Sequence, residues 1–117
     1  MSPKRGERVT PPASAHEWEV RFGTGDAAKG WDELCRQAPG TTRGAWLEMR
    51  SNPAPSLATP RHHQLKSQLV FGQYGGRSMP CWQIEVTGGG RIWYLLDTEK
   101  RTVWVTFAST AHPKATE

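Results

Sequence analysis

The hydrophobic period of the chain changes across residues 52–60, a stretch holding three prolines, and that change constrains the fold more than any other feature. Before it, Trp31, Leu34, Cys35 and Ala38 recur at helical spacing. After it, Trp82-Gln83-Ile84-Glu85-Val86 alternates apolar and polar. A 3.6-residue stripe buries one side of a helix, whereas strict alternation buries one face of a strand. Helices gathered early and strands gathered late predict an α+β plan: a helical hairpin on a mostly antiparallel sheet of four to five strands.

In more detail, Glu17-Trp18-Glu19-Val20-Arg21-Phe22 reads as a first, half-buried strand over 17–22. Thr24 or Asp26 caps a helix over 25–38, which Pro39-Gly40 ends, and Thr41 caps a second over 41–51. Leu65, Leu69 and Phe71 suggest an irregular strand over 64–71, followed by a turn-rich connection from Gly72 to Pro80. Strands then follow over 82–86, 91–97 and 102–108, giving the order β-α-α-β-β-β-β. Trp31, Leu34, Trp46, Ile84, Ile92 and Val105 are the expected core, with Trp82 and Val86 inward and Gln83 and Glu85 outward.

At 117 residues the chain is one domain's worth, large enough for a core without staples. Residues 1–15 are polar and basic, carrying Lys4, Arg5 and Arg8, and read as a disordered tail ahead of a domain over 16–117. They resemble neither a secretory signal nor an anchor, and no apolar run approaches the ~18 residues of a membrane span. Cys35 and Cys81 form no paired motif, which fits reduced thiols in a cytoplasmic protein.

The net charge of +4 is uneven. Residues 1–60 hold eight Lys/Arg against seven Asp/Glu, or +1, and residues 61–117 hold seven against four, or +3. Three of the four histidines also fall in the second half. A basic half suits a polyanionic partner, because phosphate neutralisation dominates nucleic-acid affinity.

Few motifs carry chemistry by themselves. Gly23-Thr24-Gly25-Asp26-Ala27-Ala28 mimics a dinucleotide fingerprint, but a second helix follows it instead of a βαβ unit. Gly88-Gly89-Gly90-Arg91 reads as a turn between strands that aims Arg91. His62 and His63, adjacent on a strand, point to opposite faces and make no zinc set, so no metal and no cofactor is expected. Of the six tryptophans, most belong to the core, and one or two on an open sheet face would stack on bases.

The second half resembles the RelE/ParE superfamily of bacterial type II toxins. The residues that carry the likeness are His63-Gln64-Leu65-Lys66, Trp82-Gln83-Ile84-Glu85-Val86, Arg91-Ile92-Trp93-Tyr94-Leu95-Leu96-Asp97 and Val103-Trp104-Val105-Thr106-Phe107-Ala108, the last leading into Ala111-His112-Pro113-Lys114. With the element order, the likeness spans about residues 17–114. It implies the toxin of a toxin-antitoxin pair. In one form it is a metal-independent endoribonuclease cutting mRNA, on the ribosome or free of it. In others it is a ParE-like inhibitor of DNA gyrase or an inactive toxin-derived interaction domain. A cognate antitoxin would be its protein partner.

Carried over by residue, the resemblance makes Arg91 the sheet arginine on the scissile phosphate and His112 the acid/base after the last strand. Lys66, Arg77, His63 and Lys114 would be RNA or phosphate contacts. Gln83 and Glu85 stand where RelE-like nucleases carry lysines, and the tyrosine expected after the last strand is absent. Glu85 reads equally as a catalytic base or as a plain strand carboxylate.

Overall fold

A computed structural model describes residues 4–9 and 11–111. The sequence forms an α+β fold with the strands β1 (Glu19–Phe22), β2 (His62–Gln64), β3 (Phe71–Tyr74), β4 (Arg77–Glu85), β5 (Arg91–Asp97) and β6 (Thr102–Ser109), and the helices α1 (Gly25–Gln37) and α2 (Pro39–Ser51). The strand order is β1-β6-β5-β4-β2, with β3 paired to the first half of β4. β1 runs parallel to β6, and the other pairings are antiparallel, so the sheet is mixed.

The helices start where local chemistry allows. Thr24 accepts a hydrogen bond from the Ala27 N–H at 2.9 Å, satisfying one of the free donors of α1. Its hydroxyl also donates to the Thr106 carbonyl, tying the helix start to β6. α2 begins earlier than the Thr41 cap predicts. Pro39 occupies its first turn, where a missing N–H costs nothing, and Ala38 alone links the helices.

Val20, Phe22, Ile84, Ile92, Tyr94, Val103 and Val105 bury one sheet face against Ala27, Ala28, Leu34, Ala45 and Met49 of the helices. The small residues let the helices approach closely. A Cβ on Gly30 would sit 1.7 Å from the Ala108 carbonyl oxygen, so α1 rests directly on β6. Trp31 and Trp46 are therefore half-buried instead of central: their indoles lie beside the contact, lining a groove between the helices with Pro11 and Pro39.

Two further expectations change. The irregular strand over 64–71 is two strands separated by a 3-10 turn at Ser67–Leu69, and the supposed connection 72–80 is mostly a hairpin closed by Gly75 and Gly76, both at positive φ. This hairpin folds over the sheet's other face and builds a second apolar cluster of Leu65, Met79, Cys81 and Leu95. Secondly, the described part of the N-terminal segment is docked. The N–H groups of Gly6 and Val9 donate to Phe22 and Val20, and Val9 is buried in the main core. The outer edge of β1 offers unpaired backbone groups, and Val9 brings an apolar side chain to them.

Candidate functional site

On β5 the residues facing away from the helices are Arg91, Trp93, Leu95 and Asp97, and register places Glu85 opposite Arg91 and Gln83 opposite Trp93. Across β6, Phe107 faces Trp93, and Trp104 faces Leu95. The register shifts between Trp93 and Tyr94, so Thr106 is an extra residue that bends β6 beside these side chains. At the far edge, His63 of β2 is opposite Gln83. One face therefore carries, in sequence across the sheet, an imidazole, an amide, a carboxylate, a guanidinium and two aromatic rings.

The Arg91 guanidinium is 3.4 Å from a Glu85 oxygen through NH2. Its NH1 donates to the carbonyls of Thr87 at 3.0 Å, Gly88 at 3.3 Å and Gly90 at 3.0 Å. The turn thus does more than aim Arg91: its carbonyls hold the side chain down, 8% exposed. Glu85 keeps about a third of its side chain exposed, at 34%. Gln83 faces outward as expected yet is buried, because the Trp93 indole N–H donates to its amide oxygen at 2.7 Å. The Trp93 and Phe107 rings lie 5.2 Å apart, both half-exposed.

His63 is prepared by its backbone. Its Nδ1 is 3.1 Å from the Thr59 carbonyl oxygen. A carbonyl only accepts, so Nδ1 carries the proton and the neutral ring presents a bare Nε2. Register sets His63 on the diagonal from Glu85, about 7–8 Å away by sheet geometry.

The other expected contacts lie elsewhere. Arg77 sits at the opposite end of β4 and grips Asp97 with both arms, at 3.0 and 2.9 Å, while NH2 also meets Glu99 at 3.0 Å. Burial alone pushes the Asp97 carboxyl up. Arg77, the Lys100 N–H and the Trp104 indole overcome that and hold it down at about 2. Lys66 is exposed just before the 3-10 turn, beyond the end of β2. His112 and Lys114 lie outside the described residues. The structure therefore brings together Glu85, Arg91 and His63, but not Lys66 or Arg77.

Sequence reasoning missed a second polar centre on the helix side of the sheet, made by His62, Tyr94 and Glu48. Alternation on β2 was its only signal, since it sends His62 inward when His63 faces out. Burial pushes the Cys81 thiol up to about 11, which makes it a core residue and a poor nucleophile. Among the described residues no three or more His, Cys, Asp or Glu side chains cluster as a metal set, and no helix is long and apolar enough to cross a membrane. Comparison with known proteins found no matching family model, no matching curated protein and no matching solved structure.

Proposed function

We propose that this chain is the toxin of a type II toxin-antitoxin pair, a RelE/ParE-like cytoplasmic endoribonuclease that cuts mRNA on its open sheet face without a metal. The reading is carried by one observation: Glu85 and Arg91 are paired across β4 and β5 on the face that also holds the bare Nε2 of His63 and the Trp93–Phe107 rings. The rings offer bases a stacking surface, and the basic second half favours a polyanion.

Cleavage needs the 2′-hydroxyl to attack its own phosphate while the bond to the 5′-oxygen breaks. Glu85 takes the hydroxyl proton, and NH2 of Arg91, the arm it shares with Glu85, faces the phosphate charge. His63, once protonated, adds a second donor to the phosphate oxygens. His112, which the resemblance makes the acid/base after the last strand, is assigned the acid that protonates the leaving oxygen. The products are a 2′,3′-cyclic phosphate and a 5′-hydroxyl. A cognate antitoxin silences this face.

Expression of the chain alone should arrest bacterial growth, and the purified protein should cut RNA in EDTA to leave cyclic or 3′-phosphate ends. Glu85→Gln and His63→Gln should each abolish arrest while the circular dichroism spectrum is kept. Ends carrying a 3′-hydroxyl, or loss of cutting in EDTA, would overturn the assignment.

One observation favours a second reading, a ParE-like inhibitor with no nuclease activity: NH1 of Arg91 is already committed to three carbonyls. An inhibitor would arrest growth with RNA left intact, and Glu85→Gln would not relieve it.

A further inference from the structure

Tyr94 lies in the core with its hydroxyl donating to the Pro53 carbonyl at 2.6 Å. The same hydroxyl makes a short contact with Nε2 of His62. The His62 Nδ1 in turn faces Oε2 of Glu48 at 3.6 Å, and that oxygen is buried with no hydrogen-bond partner. Three contacts thus run in a row from a carboxylate of α2, through β2 and β5, to a carbonyl of the loop that follows α2.

The chain of contacts begins and ends on acceptors, so each contact needs one proton. Neutral His62 and neutral Tyr94 contribute one each, and burial pushes the Tyr94 phenol well up, so it keeps its proton. Two protons cannot serve three contacts. Because Tyr94 donates to Pro53, His62 must donate through Nε2, which leaves Nδ1 bare and pointed at an ionised oxygen. Oε2 of Glu48 is enclosed, so a proton fits the gap where a ligand atom does not.

We propose that Glu48, His62, Tyr94 and the Pro53 carbonyl form a proton-binding site that is one proton short at neutral pH and takes one up at His62 Nδ1 on acidification. The proton comes from solvent through the neighbouring cleft of about 280 Å³, which Glu48, Asn52, Thr59, Arg61 and His62 help to line. It converts the imidazole to an imidazolium paired with Glu48. The surrounding groups set when this happens. Burial against the Trp82 and Tyr94 rings pushes His62 below the ordinary histidine range, and Glu48 and the Pro53 carbonyl pull it back up. Arg61, itself 3.6 Å from the other Glu48 oxygen, and His63 push it down again. Cys81, also near Tyr94, stays a neutral thiol.

Nitrogen-detected NMR of the full chain tests this directly. At pH 7.5 the His62 ring should be the Nε2–H tautomer with Nδ1 bare, and it should titrate with a midpoint below that of a free histidine. Glu48→Gln replaces the carboxylate with an amide whose N–H can donate to Nδ1, completing the count with no charge. It should lower the His62 midpoint by about one unit, the scale of an opposite charge removed nearby, and raise the melting temperature at pH 7.5. An Nδ1–H tautomer at pH 7.5, a midpoint at or above that of free histidine, or a midpoint unmoved by Glu48→Gln would each overturn the proposal. Should Glu48→Gln fail to fold, the tautomer and midpoint of the unaltered chain decide alone.

Discussion

Two arginine–carboxylate pairs sit at opposite ends of the same sheet face and do different work. At one end Arg77 clasps Asp97 with two parallel bonds, Asp97 is 1% exposed, and Trp104 and Tyr74 stack over the pair's flank at 4.3 Å between rings. At the other end Arg91 meets Glu85 through one long contact of 3.4 Å, and the arginine is the buried partner while the carboxylate is half-open. Burying the acid and serving all its lone pairs makes a structural clamp. Burying the base and leaving the acid open keeps a carboxylate available to a reactant. Pairing alone does not mark a site; which partner water can reach does.

Function separates the two carboxylates most sharply. Glu85→Gln should lower RNA cleavage by about 10²–10⁴-fold, the worth of general acid–base catalysis, while its melting temperature changes little. Chain scission and thermal melting measured on one preparation check both halves. A variant that melts early and still cuts would reverse the comparison.

Asp97→Ala should do the opposite. It strands the Trp104 indole N–H and the Lys100 N–H and leaves Arg77 only the exposed Glu99, and should cost about 3 kcal/mol in urea unfolding, as broken buried pairs do. Acid sharpens the same point. The Asp97 pKa is lowered from 3.8 to about 2, so the unfolded chain binds the proton first as pH falls. The clamp's stabilisation is full above pH 3.8 and is lost as pH drops toward 2, and Asp97→Ala should flatten that limb of the stability curve.

Arg91→Ala should cost less stability than Asp97→Ala, about 1–2 kcal/mol, because it frees turn carbonyls that water can serve. Equilibrium unfolding measures it. A loss as large as that of Asp97→Ala would show that both pairs are structural and would remove Glu85 from the proposed chemistry.

The local signals in the chain were strong where a single element decides its own form. The stripe through Trp31 and Leu34 with the Thr24 cap placed α1 within a residue, and the run 91–97 is β5. Local signals failed where distant groups compete. Nothing near Val9 shows that the open edge of β1 will take it, and nothing near Leu65 shows that the strand breaks so that a hairpin can cover Leu95. His62 and His63 are identical letters, and only the sheet distinguishes a buried link in a proton chain from an outward imidazole.

The α+β class, helix α1 and strands β5 and β6 were legible in the chain alone, because period and turn chemistry act within a few residues. That Arg91 is held by its own turn, that Arg77 closes on Asp97, and that Glu48 meets His62 came from the packed fold. Those outcomes depend on which carbonyls and carboxylates the packed elements bring within hydrogen-bond reach, and that is a property of the assembled fold.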